Sequence, residues 1–359
     1  MNTIIRRHAL KTAAAVALAP FASVLSADPP AKIRIGQIGT SHAHASGKMD
    51  AIRSLTDLYE VVGIAEPIAG QQASAEKQKT YAGLKWMSEE ELVSDKSIQA
   101  VVVETTLGDS ARAALACIQA GKHIHLDKPG AEKHADYKMM RLEAERRQLT
   151  VQMGYMLRYN PAFELLFRAH REGWLGEITE IDASIGKLAD AQLQKQLAGL
   201  PGHGMFELAC HLVDVVVFLL GAPSAVHAFG KPTGLAPAGL PDNQLAVLEY
   251  PKAIVTLRCN HGDPFGWPHR RFHVAGTKGA MEIQPLESGR GLLRLSEAKG
   301  GFKNGENNLV LGVPPGRYNG EFRDLARILR GEKQLTWSAE HDIAVHATVL
   351  RCAGLPITT

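Results

Sequence analysis

The sequence predicts the α/β class with two architectures in tandem. A doubly wound parallel sheet is expected over residues 32–155, then an α+β domain over 156–359 with a large, mostly antiparallel sheet. Three observations carry that prediction. A chain of 359 residues is longer than one ordinary hydrophobic core supports, so two domains are expected. As far as residue 155, short apolar runs alternate with longer segments of helical period, and that order means parallel pairing through crossovers. Beyond residue 175, apolar runs follow one another with few helices between them, which requires antiparallel or mixed pairing.

The elements follow in order. "KIRIGQIG" (32–39), "YEVVGIAE" (59–66), "IQAVVVET" (98–105), "KHIHLD" (122–127) and "VQMGY" (151–155) read as buried strands. Between them "DSARAALACIQAG" (109–121) and "KHADYKMMRLEAERRQL" (133–149) carry helical periodicity, and Gly121 stands where the first of these should stop. In the second half "GEITEIDASIG" (176–186) alternates as a half-buried strand, and the apolar run 204–220 reads as one long helix. Strands are expected near 224–230, 244–250, 252–261, 270–276 and 279–284, with closing helices near 319–331 and 339–353. The Gly/Pro-rich stretches 230–241 and 312–316 read as surface loops.

Composition narrows the function classes. A content of 45% hydrophobic and 21% charged residues describes a soluble globular protein. The net charge of +3 is spread thinly, without a run of five basic residues, so no nucleic-acid partner is expected. Cys117, Cys210, Cys259 and Cys352 form no C-x-x-C pair, which argues against a zinc ribbon or redox dithiol and for buried free thiols. Residues 1–30 read as a twin-arginine-type export signal: Arg6 and Arg7, an apolar segment from Ala13 to Leu25, then Ser26 and Ala27. That segment is short for a membrane span, so a periplasmic protein without stable membrane insertion is expected after signal removal. The twin-arginine route carries folded proteins, which suits a tightly held cofactor.

The first strand enters its helix through "IGQIGTSHAHASG", where backbone N–H groups would face a pyrophosphate. Aligned to G-x-G-x-x-G, Gly39 fills the first position, while Ser41 and His44 replace the other two glycines on either side of His42. The Thr40 and Ser41 hydroxyls offer compensating donors. Glu66 ends the second strand, from which a carboxylate accepts from ribose hydroxyls, and this favours NAD over NADP. "ETT" places Thr105 and Thr106 at a strand end, and "HLDKPGA" places Asp127 and Lys128 at another, with Pro129 stiffening the exit. Ligands of open α/β sheets lie outside that edge. In "GMFELACHLVD" (204–214), Glu207 and His211 stand one helical turn apart, and His203 and Asp214 extend the polar line. His203, Glu207 and His211 could alternatively offer three ligands to a divalent metal, but Gly204 and "LPGHG" argue against helix geometry at His203, and no metal is assigned.

Taken together, "AGKHIHLDKP", the "ETT" before it, "GYMLRYNPAF", "LGEITEI", the helix ending "HLVD", "GTKGAMEI" and "EFRDLARILRGE" resemble the glucose-fructose oxidoreductase / inositol dehydrogenase / rhizopine-catabolism (Gfo/Idh/MocA) family. The resemblance runs from about Lys32 to the C-terminus. It implies an N-terminal Rossmann domain and a lysine beside the nicotinamide. The family's Glu-Lys-Pro motif maps to Asp127, Lys128 and Pro129, with Asp for Glu, and its acid-x-x-x-His pair maps to Glu207 and His211, where Asp is the usual acid. It also places Arg158 near the cofactor and Tyr155 near the substrate.

Hydride leaves a secondary alcohol only as its proton departs, so a base must reach the oxygen and a cation should stabilise developing charge. His211 is assigned as base, Glu207 as its orienter and Lys128 as the cation, with Lys128 and His211 interchangeable. His203, Asp214 and Tyr155 are expected at substrate; His261, Trp267, His269, Arg270 and Tyr318 are candidates for a sugar face. An open sheet face would favour a homo-oligomer. The expected function is an NAD(P)-dependent oxidoreductase acting on a sugar, sugar-derivative or cyclitol hydroxyl with retained cofactor. The alternatives are an NAD-dependent glycosidase or lyase working through a transient ketone, and a non-catalytic sugar-binding protein.

Overall fold

Six parallel strands form the first sheet: β1 (Ile33–Ile38), β2 (Tyr59–Ala65), β3 (Trp86–Met87), β4 (Ala100–Val103), β5 (His123–Leu126) and β6 (Val151–Met153). In this computed structural model, which describes residues 30–236 and 239–357, their order is β3-β2-β1-β4-β5-β6. The expected export signal lies outside the described residues, save Pro30 at its end. Every residue of β4 is buried, as a central parallel strand covered on both faces requires. The strand order reverses between β1 and β4, and such a switch point opens a crevice at the carboxyl edge. The two-residue β3 was not among the expected strands, being too short to carry a period.

The second sheet has eight strands: β7 (Ile178–Gly186), β8 (Ala225–Lys231), β9 (Asn243–Glu249), β10 (Ile254–Asn260), β11 (Arg271–Gly276), β12 (Gly279–Ile283), β13 (Arg290–Leu295) and β14 (Gly305–Val310). They lie in the order β14-β13-β12-β11-β7-β10-β9-β8, antiparallel except where β7 meets β10. Alternation decides which face is covered: Ala246 and Leu248 of β9 and Val255, Leu257 and Cys259 of β10 point into the core. β13 and β14 were not expected, because "RGLLRL" and "GENNLV" bury only Leu293, Leu295 and Leu309, too few apolar residues to read as strands. The four cysteines are free and buried, as expected.

The expected helix over 204–220 is two helices, His203–Glu207 and Cys210–Leu220. At the junction the Leu208 and Ala209 N–H groups both donate to the Gly204 carbonyl, and the His211 N–H donates to Leu208. The regular ladder is interrupted, so Glu207 and His211 are not one turn apart on a continuous face.

Arg158, in the turn after β6, ties the two halves together. Its guanidinium donates to both oxygens of Asp214 (2.9 and 2.6 Å) and to Asp342 (2.7 Å), lying over the rings of Trp337 (4.2 Å) and Tyr155 (4.8 Å). His341 adds a contact to Asp214 at 3.0 Å. Arg158 and Asp214, expected at cofactor and substrate, are thus paired with each other in the interior, with only Arg158 Nη1 left unpartnered on the guanidinium. Burial would raise the Asp214 pKa, but Arg158 outweighs it and holds the carboxyl down at about 2. Asp214→Asn should cost about 1.5–3 kcal/mol in urea unfolding at pH 7, since it removes a charge-assisted pair and leaves the buried Arg158 charge to Asp342 alone. The folded pKa lies below the unfolded value of about 4, so the wild-type advantage is complete above pH ~4 and is lost as pH falls toward ~2. Equal unfolding midpoints at pH 7 would contradict the tie.

Candidate active site

Gly39 ends β1 with φ +87°, and a Cβ there would lie 2.6 Å from the Thr105 nitrogen, so only glycine lets the loop leave beside β4. The Thr40 N–H and hydroxyl both donate to one oxygen of Glu66 at 2.6 Å, and the Ile68 N–H donates to the other at 2.8 Å. Glu66, expected at a ribose, here holds the loop against the end of β2.

A cavity of about 750 Å³, within the range of cofactor and substrate sites, lies outside the carboxyl ends of β1, β4 and β5. Ser41, His42, His44, Thr105, Thr106, Asp127 and Lys128 form one wall; Glu207, Phe206 and the segment from Lys187 to Leu200 form the other. The helix Ala45–Ser54 begins at this wall without a side-chain cap, and the Ser41 hydroxyl is buried without a partner. Uncapped N–H groups and a free hydroxyl at a helix start suit a pyrophosphate. The residues present therefore fit a dinucleotide: Ser41–His44 would meet its phosphates and Lys128 its reactive end.

The two walls meet in one ion pair. Lys128 Nζ donates to the Glu207 carboxylate at 2.6 Å and to the Glu207 carbonyl at 2.7 Å. That carbonyl is available because the helix breaks just beyond it. Burial would lower the Lys128 pKa, but the Glu207 charge overrides it, and the ammonium titrates above its usual range. Glu207 is held at about 2: burial pushes it up and Lys128 pulls it further down. Glu207 therefore orients Lys128 rather than His211. His211 is buried with Nδ1 unpartnered and Tyr155 edge-on at 5.9 Å; burial first, then Lys128, hold it neutral.

Asp127 is the hub of the first wall. Its Oδ2 lies 2.8 Å from His42 Nδ1, 2.9 Å from His44 Nδ1 and 3.1 Å from Lys48 Nζ, while Oδ1 accepts from the Lys128 N–H at 2.6 Å. Lys48 also donates to Glu104 at 2.9 Å. Burial opposes a charge on His42, but Asp127 and Glu104 raise its pKa to about 9; burial prevails at His44, lowering it to about 4. Sequence reasoning treated His44 as a missing glycine and overlooked Lys48 and Glu104. The available signal was His42, His44 and Lys48 spaced two and four apart after a strand.

Other expected site residues lie elsewhere. His203 Nδ1 bonds the Leu197 carbonyl at 2.9 Å, steadying the helix Ala191–Ala198 that flanks the cavity. His203, Glu207 and His211 are not a ligand set; among the described residues such groups are His42, His44 and Asp127, and Asp214, His341 and Asp342. Tyr155 is buried with an unpartnered hydroxyl. His261 and Arg270 are buried, the latter stacked on half-exposed Trp267 (4.1 Å); His269 pairs with Asp263, and Tyr318 packs near His44. These five do not form one sugar-binding face.

A parallel sheet with a dinucleotide-sized edge cavity, faced by a short helix of the second half that supplies the lysine's partner, suits a nucleotide-dependent oxidoreductase. Residues 33–155 match the model of the oxidoreductase family with an NAD-binding Rossmann fold, and residues 163–282 match the Gfo/Idh/MocA C-terminal domain. The chain belongs to the Gfo/Idh/MocA family and is an NAD(P)-dependent oxidoreductase. It is 24% identical over 264 residues to an inositol 2-dehydrogenase of Salmonella typhimurium, covering 71% of this chain and 74% of the relative. It is 26% identical over 141 residues to an NADP(+) scyllo-inositol 2-dehydrogenase of Bacillus subtilis, 39% of each. Its fold is similar to a levoglucosan dehydrogenase solved with NADH and levoglucosan: TM-score 0.75, 18% identity, 90% of this chain and 98% of that one.

The ion pair makes a direct prediction. Lys128→Met removes the charge that holds Glu207 at about 2, so its pKa should rise into or above the ordinary carboxylate range. Carbon-13 NMR of glutamate-labelled protein reads the shift; a Glu207 that still titrates near 2 would break the assignment.

Proposed function

We propose that this protein transfers hydride between NAD and a secondary hydroxyl of a sugar, sugar derivative or cyclitol bound in the edge cavity. The observation that carries the reading is the buried Lys128 ammonium, fixed by Glu207 on the cavity wall. The relatives' names, inositol 2-dehydrogenase and scyllo-inositol 2-dehydrogenase, support the polyol class. Bound NAD supplies the hydride acceptor. Lys128 donates to the reacting oxygen and stabilises its developing negative charge. Glu207 fixes the direction of that donor. His211, neutral and buried with Nδ1 unpartnered just outside the cavity's lining, is assigned as the proton acceptor. Thr105 and Thr106 line the cofactor edge. NAD is favoured over NADP because the Glu66 carboxylate ends β2, where a 2′-phosphate would meet its charge.

The arginine pair and apolar segment of residues 1–30 support export to the periplasm with the cofactor already in place. Free dinucleotide is scarce there, so the cofactor stays bound and is recycled on the protein. That constraint favours a second reading, in which a transient ketone acidifies a neighbouring C–H, a C–O bond breaks, and the hydride returns. Release of a new reducing end without net NADH distinguishes it from dehydrogenation.

Correctly exported protein, denatured and analysed by mass spectrometry, should release close to one dinucleotide per chain. Lys128→Ala should lower turnover by about 10²-fold or more with unchanged circular dichroism. Native protein without dinucleotide would remove the retained-cofactor reading, and ordinary turnover in the variant would remove Lys128 from the chemistry.

A further inference from the structure

The loop between β1 and the helix Ala45–Ser54 holds a group of side chains that hydride transfer does not use. His42 Nδ1 and His44 Nδ1 approach the same oxygen of Asp127, at 2.8 and 2.9 Å, and the three ligand atoms lie within 4.8 Å of one another. Lys48 Nζ, at 3.1 Å, is a third donor on that oxygen, which has two lone pairs. Meanwhile Glu104 Oε2 is buried without a hydrogen-bond partner, 3.5 Å from His42 Nδ1. One acceptor is oversubscribed beside another that is unused. Ligand atoms about 2.1 Å from a metal and at right angles are about 3.0 Å apart, so the two imidazole–carboxylate separations already suit coordination.

The surrounding carboxylates are under-used in the same way: Glu104, Asp127 and Glu321 are buried around the Lys48 ammonium, and both Glu321 oxygens lack hydrogen-bond partners. His42 and His44 are partly exposed on the cavity wall, so an ion has a way in.

We propose that His42, His44 and Asp127 bind one divalent first-row transition metal ion, with Glu104 Oε2 as a further ligand. Two imidazoles and carboxylates select zinc, manganese, iron(II) or cobalt(II) over calcium or magnesium, which prefer all-oxygen sites. Lys48 keeps Glu104 Oε1 as its partner when Asp127 Oδ2 turns to the metal. The remaining coordination positions face the cavity, where they take water or an oxygen of the bound ligand. Ser41, His42 and His44 are then not a decayed glycine motif: the loop has exchanged close backbone approach for a cation at the phosphate end of the cavity. The inference goes beyond the redox reading and does not require it.

The full chain, stripped with a chelator and dialysed, is titrated with cobalt(II) and with zinc, and bound metal is counted by mass spectrometry. One ion per chain is expected, with cobalt(II) absorption of mixed nitrogen and oxygen ligation and a higher Tm in the metal-loaded protein. The double variant His42→Ala, His44→Ala should lose the site. If that variant does not fold, His44→Gln alone should weaken cobalt(II) binding by about tenfold or more. Wild-type protein that holds no metal at 100-fold molar excess, or affinity unchanged in a folded variant, overturns the proposal. Dinucleotide release from the same preparations is scored separately, so loss of either reading leaves the other legible.

Discussion

The contact between Lys128 and Glu207 is the constraint on which the rest of the site depends. Lys128 comes from the end of a buried parallel strand, and Glu207 from a short helix packed against the other sheet. An unpaired ammonium at the depth of Lys128 would carry a large desolvation penalty, so it is tolerable because the part-buried Glu207 carboxylate is there. The pair therefore fixes both charges, closes the cavity on one side and aims a permanent cation into it. The interrupted helix is part of the same device. Regular geometry would tie up the Glu207 carbonyl, whereas the break offers it to the same ammonium as a second acceptor.

A second group of buried charges, Arg158 with Asp214 and Asp342, does a different job a few residues away. Arg158 bonds both carboxylates and lies over Trp337, so it locks the turn after β6 to the helix Cys210–Leu220 and to the helix Ala339–Cys352. Proximity to a site and engagement in it are distinct: the same residue types serve rigidity here and line the cavity at Lys128 and Glu207. The Glu66 carboxylate shows the point again, since it secures Thr40 and so shapes the loop on which His42 and His44 are presented.

Much of the first sheet was legible in the sequence because its strands are buried on both faces and so read as unbroken apolar runs, as in "AVVV" of β4. β13 and β14 were illegible because each buries only one or two leucines among exposed or half-exposed residues, which carries no such signal. The long apolar run 204–220 has no internal break in hydrophobicity, so the interruption after Glu207 could not be read; it involves a lysine 79 residues away in the chain. For the same reason Glu207 was assigned to His211, its neighbour in sequence, and Arg158 and Asp214, 56 residues apart, were not recognised as partners. Lys128, Glu207, Thr105, Thr106 and Asp127 do meet at one cavity, because strand ends in a doubly wound sheet converge on one edge. His44 stands where the third glycine of G-x-G-x-x-G would be, and its contact with Asp127, 83 residues away in the chain, leaves no trace in that spacing.

The most direct test of this account is a crystal structure of the protein soaked with NAD⁺. The account predicts pyrophosphate at Ser41–His44, the nicotinamide ring in van der Waals contact with Lys128, and Lys128 still hydrogen-bonded to Glu207. A nicotinamide that lies outside the edge cavity, or a Lys128 that has swung away from both the ring and Glu207, would contradict it.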